Sequence, residues 1–531
     1  MTTGAQALVA ALEEAGTEVV FGLPGVHNLA AWTVLRDSPI RLVTVRHEQA
    51  AAYAADGYAR ATGKVGVALV TTGPGAANTL AATGEAWASH SPILVIATDI
   101  PTTIRRDGVH RGALHECADQ TAMFAPVTKE TLRADSISLR PLARIAASLP
   151  VERPSRPVYL EIPTDVLSAP VVGEESRDEG WGTLRDLARG ELEERLASSE
   201  RPLIWAGSGA RDAATEVTGL AERLGAPVLT THSARGVVPP DRALPAPHVR
   251  EVGALWDDAD LVLAVGSDLD GVNTQNWTQP KPPCLVAINV DPDDAAKNYE
   301  PDLVVEGNAA EVLASIDVEE RAPWADLDTV RTAVRERLAD EHPEELAFLD
   351  AFAAAVPDDA VVVCDMCVPG YWLTAFHTPA EPRRLLTPFG WGTLGFGFPA
   401  ALGATLANEG PVVAVCGDGG ILFGAGELAT VAQEKLPLTL VIVDDGGYGM
   451  LRYDQRRAGV EPYGVDLHTP DFVALARSFG VHAEGVDGLG DAFGSLLAKH
   501  VARREPTVIV ARAVLEPPET TSPRWPRRAA G

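Results

Sequence analysis

The residues best placed to do chemistry stand in the last third of the chain. Val412-Val413-Ala414-Val415-Cys416-Gly417-Asp418-Gly419-Gly420 reads as a buried strand ending in a glycine-rich turn that carries one acid. A helical pattern with Glu427-Leu428-Ala429-Thr430 follows, and a second strand-like run leads into Asp444-Asp445-Gly446-Gly447-Tyr448-Gly449. Adjacent parallel strands put both turns at one carboxyl edge, where open α/β sheets bind ligands. Glycines let backbone N–H groups approach a phosphate, and a following helix N-terminus favours an anion. Two carboxylates at that edge can hold a hard divalent cation such as Mg²⁺, which prefers oxygen ligands.

Two further segments carry candidate chemistry. Val45-Arg46-His47-Glu48-Gln49-Ala50-Ala51 sets an acid at a helix start, embedded in alanines. Such an acid can simply complement the helix dipole. In an apolar pocket its pKa rises, and it can share a proton. Pro388-Phe389-Gly390-Trp391-Gly392-Thr393-Leu394-Gly395-Phe396-Gly397 is a glycine-rich loop entering a buried helix.

These segments need parallel sheets to position them. Short Val/Ile/Leu runs at 19–22, 41–45, 65–70, 93–98 and 158–162 alternate with helical patterns such as 48–62. A second set lies at 203–206, 227–230, 261–265 and 285–290, and a third at 360–364, 411–416, 438–443 and 507–511. Continuous apolar runs mark buried parallel strands, and the βαβ rhythm marks doubly wound sheets. The expected fold is therefore α/β, with three doubly wound parallel-sheet domains at 1–172, 185–320 and 345–515. A polar stretch at 173–180 separates the first two, and a charged helical stretch at about 317–350 precedes the third. Residues 516–531, with four prolines and three arginines, read as a poorly ordered tail. The first and third domains share a rhythm but no readable repeat.

Composition excludes several functions. The net charge is −29, from 44 basic and 73 acidic residues. That argues against nucleic acid or an anionic membrane as partner, since both need basic patches. The cysteines Cys117, Cys284, Cys364, Cys367 and Cys416 do not form a disulfide framework. Cys364 and Cys367 make a C-x-x-C by chance, with no second pair for zinc. The N-terminus lacks a basic leader region, and no apolar run reaches about 18 residues. A cytoplasmic location is expected.

The 27-residue separation of Asp418 and Asp445 resembles the motif of the thiamine-diphosphate-dependent enzymes, which opens on GDG and closes on Asn or Asp. Here the closing residue is Asp445, which adds a charge to the site. The resemblance assigns Mg²⁺ to Asp418, the Asp445 side chain and the Gly447 carbonyl. It assigns the cofactor to Gly417, Gly419, Gly420, Tyr448, Gly449 and Met450, together with Thr72, Gly392, Leu394 and Glu48. Glu48 would bond the aminopyrimidine N1′, Gly392 would accept from the 4′-amino group, and Leu394 would prop the cofactor bend that brings its reacting atoms together. Phe21-Gly22-Leu23-Pro24-Gly25 and Thr72-Gly73-Pro74-Gly75-Ala76-Ala77-Asn78 also match, so the resemblance spans about residues 1–515. In that family the first and third domains meet across subunits, which implies a homodimer or a dimer of dimers.

Within the family the chain looks most like the acetolactate-synthase-like branch. It is particularly similar to the guanidino-oxopentanoate decarboxylases, through Arg111-Gly112-Ala113-Leu114-His115-Glu116-Cys117-Ala118-Asp119-Gln120 and Gly392-Thr393-Leu394-Gly395. His115 stands where acetolactate synthases carry Gln, and could donate a proton after CO₂ leaves. Val26 replaces the acid of pyruvate decarboxylases, and Leu114-His115 replaces their two histidines. Val368-Pro369 replaces a Gln-His of acetolactate synthase. Val26, His27, His115, Glu116 and Asp119 are the candidate substrate residues, the two acids as partners for a cationic tail. Ala287-Ile288-Asn289-Val290-Asp291 ends a strand on an acid, as in nucleotide-binding relatives. Gly266-Ser267-Asp268 lacks the Arg of flavin-binding relatives, so FAD is not expected. The expected function is Mg-dependent non-oxidative decarboxylation of a 2-oxo acid. The alternatives are an acetolactate-synthase-type carboligase and a non-catalytic paralogue.

Overall fold

The computed structural model describes residues 2–106, 108–171 and 187–518. The first sheet comprises β1 (Val19–Gly22), β2 (Arg41–Thr44), β3 (Gly66–Val70), β4 (Ile93–Asp99), β5 (Glu130–Arg133) and β6 (Val158–Pro163). The central sheet comprises β7 (Pro202–Ala206), β8 (Val228–Thr230), β9 (Leu261–Val265), β10 (Leu285–Asn289) and β11 (Leu303–Glu306). The third comprises β12 (Val361–Cys364), β13 (Leu385–Leu386), β14 (Val412–Gly417), β15 (Leu438–Asp444), β16 (His482–Asp487) and β17 (Thr507–Arg512). Every strand pair is parallel, in keeping with three doubly wound α/β units.

The shared rhythm of the first and third units is a shared topology. Their orders are β2-β1-β3-β4-β6-β5 and β13-β12-β14-β15-β17-β16, the same permutation. The central sheet runs β11-β10-β9-β7-β8. In the outer sheets the winding reverses beside the first strand. The switch points therefore lie between β1 and β3 and between β12 and β14, where such sheets open a ligand crevice.

The strands that the sequence conceals are all at sheet edges: β5, β11, β13 and β16. An edge strand such as β16, with exposed His482, Gly485 and Asp487, lacks the continuous apolar run of a strand buried on both faces.

The first and third units dock through two helices. Glu48–Thr62, capped by His47 at one end and left-handed Gly63 at the other, crosses Gly397–Ala407. A Cβ on Gly57 would lie 2.0 Å from the Ala400 carbonyl oxygen, and one on Gly403 would lie 1.8 Å from that of Ala54. Only glycine permits this approach. Glu427 accepts from the amides of Arg46 (2.8 Å) and His47 (3.1 Å), so the third unit holds the strand-to-helix turn that presents Glu48. Arg60 pairs with Asp56 and Glu85, and Glu85 accepts from the amides of Gly390 and Trp391.

The charged stretch before the third sheet forms the helices Leu327–Glu341 and Pro343–Ala355. The polar break at 173–180 and residues 519–531 lie outside the described residues. At the start of the expected tail, Glu516 accepts from the Trp372 indole at 2.7 Å and donates its amide to Glu345 at 2.8 Å. Among the described residues no helix is long and apolar enough to cross a membrane.

Candidate active site

At the carboxyl edge of the third sheet, the β14 turn delivers Asp418 and the β15 turn delivers Asp445. Asp418 is buried, and one oxygen accepts from the Gly419 amide at 2.9 Å. Its Oδ2 and the Oδ1 of Asp445 are buried without a hydrogen-bond partner. Burial and the neighbouring Asp445 push the Asp418 carboxyl up to about 7, and burial raises Asp445. Two desolvated carboxylates side by side, each with an unbonded buried oxygen, are what a divalent cation would relieve, so these oxygens fit a metal. The guanidinium of Arg452 reaches the Asp445 carbonyl at 3.1 Å and Asp466 at 2.7 Å, a support absent from the sequence reading.

The glycines here are steric necessities. A Cβ on Gly419 would lie 2.7 Å from the Tyr448 ring, and one on Gly449 would lie 2.0 Å from Asp445 Oδ2. Gly447 has φ +148 and bridges to Asp466, which turns the chain into the Gly449–Arg457 helix with Met450 in its first turn. Gly417 and Gly420 flank the acid on either side of the Asp418 turn. These atoms form a glycine-lined cradle open to backbone contact with a diphosphate.

The Pro388–Gly397 loop folds over the same edge. Gly392 has φ +73 and donates its amide to Pro388 at 2.9 Å, and Leu394 is half-buried. The expected Gly392 carbonyl and Leu394 side chain therefore belong to the loop that borders the β14 turn.

At the first sheet, Glu48 is buried at its helix start. Its carboxylate accepts from the Asn78 side chain at 2.9 Å, and a Cβ on Gly75 would lie 3.6 Å from it. Asn78 belongs to the Thr72–Asn78 turn, so two matched motifs meet on one carboxylate.

The β1 and β3 turns and the loop after β4 bring His27, Thr72 and His115 together. The two imidazoles lie edge to face, with ring centroids 5.4 Å apart. Thr72 is fully buried, contacts His27 Nδ1 at 2.7 Å and donates to Thr98 at 3.0 Å. Thr72 can accept from a His27 Nδ1–H or donate to a bare Nδ1, according to the tautomer. Burial, then the neighbouring His115, lowers the His27 pKa. His115 sits at φ +67, against the Gly73 turn, where a Cβ would meet its carbonyl oxygen at 2.5 Å. Its Nδ1 is buried without a partner. Behind the turn, Gln120 accepts from the Gly73 amide at 2.6 Å and donates to Thr98, Tyr159 and Glu161.

Glu116 and Asp119 have other work in the structure. Glu116 Oε2 accepts from the amides of Arg111 and Ala113, each at 2.9 Å, and closes the loop that presents His115. Asp119 caps the Gln120–Phe124 helix through the Ala122 amide at 3.0 Å and also accepts from Thr121. Both carboxyls stay well ionised, and their partners are local. Val26 is exposed at the rim.

The carboxyl edge of the central sheet opens on a cavity of about 470 Å³ that reaches Arg60 and His90 of the first unit. Its Gly266-Ser267-Asp268 turn lines the wall, with Asp268 paired to Lys297 at 2.7 Å. A cavity of this size was not legible in the sequence, because three units contribute to it.

Comparison with known proteins agrees with this geometry. Three family models match: the thiamine pyrophosphate enzyme N-terminal TPP binding domain over residues 2–123, the central domain over 190–316, and the C-terminal TPP binding domain over 366–511. The chain is 39% identical over 498 residues to a "probable 2-ketoarginine decarboxylase" of Pseudomonas aeruginosa, covering 90% of this chain and 88% of the relative. It is 30% identical over 569 residues to an acetolactate synthase of Mycobacterium avium, covering 100% and 89%. It is 29% identical over 524 residues to a "probable acetolactate synthase large subunit" of Methanocaldococcus jannaschii, covering 91% and 87%. With its two half-sites on sheets of one topology and all three domain models matched, the chain belongs to the thiamine pyrophosphate enzymes, and among them to the decarboxylases and carboligases.

Proposed function

We propose that this enzyme carries out Mg²⁺-dependent, non-oxidative decarboxylation of a 2-oxo acid with a cationic guanidino tail. The observation that carries the reading is the His27–His115 pair beside Thr72, at the switch point of the first sheet. Decarboxylation without an acceptor ends by delivering a proton to the carbon that lost CO₂. Two imidazoles edge to face, one with a buried and unpartnered Nδ1, stand where a proton can be delivered into the site. The guanidino tail is supported by the likeness to the Pseudomonas aeruginosa protein and its printed substrate.

Bound thiamine diphosphate supplies the nucleophilic carbon and the electron sink for loss of CO₂. Asp418, Asp445 and the Gly447 carbonyl would hold Mg²⁺ against its diphosphate. Glu48 would hold a proton at the aminopyrimidine, its carboxylate aimed by Asn78. Leu394 and the Gly392 carbonyl would fix the cofactor's bend. His115 would donate to the substrate carbon from its ring and take a replacement proton from solvent, with His27 holding the edge of that ring.

A homodimer is part of the reading. Leu114 is 77% exposed, Val26 76% and Tyr463 87%, while Trp391, Phe423 and Leu451 are also exposed. Val26, Leu114 and Trp391 lie on the site loops of the first and third units, Phe423 just after the Asp418 turn, and Leu451 and Tyr463 in and after the Gly449–Arg457 helix, where a second copy would cover them. No nucleic acid or membrane partner is invoked, and a cytoplasmic setting suits the reaction.

The test compares kcat/KM for 5-guanidino-2-oxopentanoate, pyruvate and branched-chain 2-oxo acids. A preference of at least about 10-fold for the guanidino acid is expected, the discrimination of one charged contact. Equal values, or preference for pyruvate, reject the tail. The acetolactate synthases at about 30% identity favour carboligation as the second reading.

A further inference from the structure

Asp365 follows β12 directly, at the switch point of the third sheet, yet neither the metal nor the substrate account uses it. It lies inside the Cys364–Cys367 segment, which carried no chemistry in the sequence. Its side chain is buried. Both carboxylate oxygens accept from the Gly395 amide at 3.1 Å, and Oδ1 also accepts from the Met366 amide at 2.8 Å. Its own amide donates to Val415 of β14 at 2.9 Å. Burial pushes the carboxyl up to about 6, and the backbone amides that bond it, those of Met366 and Gly395 among them, hold it down against that burial.

Three glycines mark how closely the chain is drawn around this one group. Gly395 bonds it at φ +80. A Cβ on Gly397 would lie 2.9 Å from the Asp365 Cβ, and one on Gly420 would lie 2.8 Å from its Oδ2. Gly395 follows Leu394 in the loop, and Gly420 stands two residues after Asp418. The loop expected to bend the cofactor and the turn expected to hold its metal therefore touch the same carboxylate.

We infer that Asp365 is a positioning residue for thiamine diphosphate: its buried carboxylate latches the Leu394 loop to the Asp418 turn and so sets the spacing between the two halves of the cofactor cradle. This rests on membership of the thiamine pyrophosphate enzymes and not on the substrate reading. An anionic acceptor is needed because its oxygens meet backbone N–H donors, and charge-assisted bonds of this kind are about twice as strong as neutral ones. In Asn the second oxygen becomes an NH₂ group, which sets a donor against the Gly395 donor.

The test is Asp365→Asn in the full chain. Thiamine diphosphate affinity is measured by tryptophan quenching at saturating Mg²⁺, with kcat and KM taken at saturating cofactor and melting followed on the apoprotein. The inference expects cofactor affinity to fall by about 10-fold or more and kcat to fall with it, the loss of one charged hydrogen bond, while KM stays within about twofold. A folded variant with wild-type cofactor affinity and kcat overturns it, as does one that melts earlier but binds the cofactor normally. If Asp365→Asn does not fold, Gly420→Ala presses a methyl on the same carboxylate. It should weaken cofactor binding in the same way, and unchanged affinity there also overturns the inference. All binding readouts stand whichever 2-oxo acid proves to be the substrate.

Discussion

The imidazoles of His27 and His115, 88 positions apart in the chain, meet edge to face with centroids 5.4 Å apart. The contact brings together, from two loops that separately look unremarkable, the two imidazoles proposed to handle the proton. His115→Gln, the residue type of acetolactate synthases, should lower decarboxylation by about 10²–10⁴-fold, the range for a lost general acid. His27→Asn, which keeps a donor for Thr72 but removes the second imidazole, should lower kcat and leave KM nearly unchanged. Steady-state kinetics on the preferred 2-oxo acid checks both. Unaltered turnover in His115→Gln removes the pair from the mechanism.

Glu48→Gln should keep its hydrogen bond from Asn78 only in part and lose nearly all turnover. The amide cannot share a proton with the aminopyrimidine, a loss of about 10²–10⁴-fold. Proton exchange at the cofactor's reacting carbon, followed by NMR, reads this step apart from substrate binding. Near-wild-type exchange contradicts the role.

Thiamine diphosphate should bind only with a divalent cation. Asp418 and Asp445 each hold a buried oxygen without a hydrogen-bond partner, and bringing a diphosphate against two desolvated acids costs free energy. Titration calorimetry with Mg²⁺ and with EDTA decides the matter, and equal affinity in both rejects the metal site.

Glu116→Gln should reduce kcat/KM on every 2-oxo acid to a similar degree, because Glu116 closes the loop that presents His115. Asp119→Asn should cost about 1 kcal/mol of stability or less, since Asn is also a good helix cap. A loss confined to the guanidino substrate in either variant restores the acids as partners of the tail.

Much of this was legible in the sequence, for reasons that can be named. β3, β4, β14 and β15 are buried on both faces and leave continuous apolar runs, and the Gly417–Gly420 turn follows one directly. Edge strands such as β5 and β16 carry mixed burial and no such run. Asp365 was hidden because its donors are backbone amides, which have no sequence signature. His27 was legible as a candidate, but its pairing with His115 depends on loops that only the sheet order brings together. Glu427 reads in the sequence only as part of a helical pattern, and its bonds to Arg46 and His47 span the chain. The local bonds that Glu116 and Asp119 accept were not legible, because sequence shows charge but not the amides and hydroxyl that meet it.

The most direct test of the account counts substrate against CO₂. The purified enzyme, with Mg²⁺ and thiamine diphosphate, is given 5-guanidino-2-oxopentanoate as the sole 2-oxo acid, and acid consumed is measured with CO₂ released. Simple decarboxylation predicts one acid consumed per CO₂ and an aldehyde as product. Two acids consumed per CO₂, with a branched hydroxy-oxo acid as product, would contradict it and make the enzyme a carboligase.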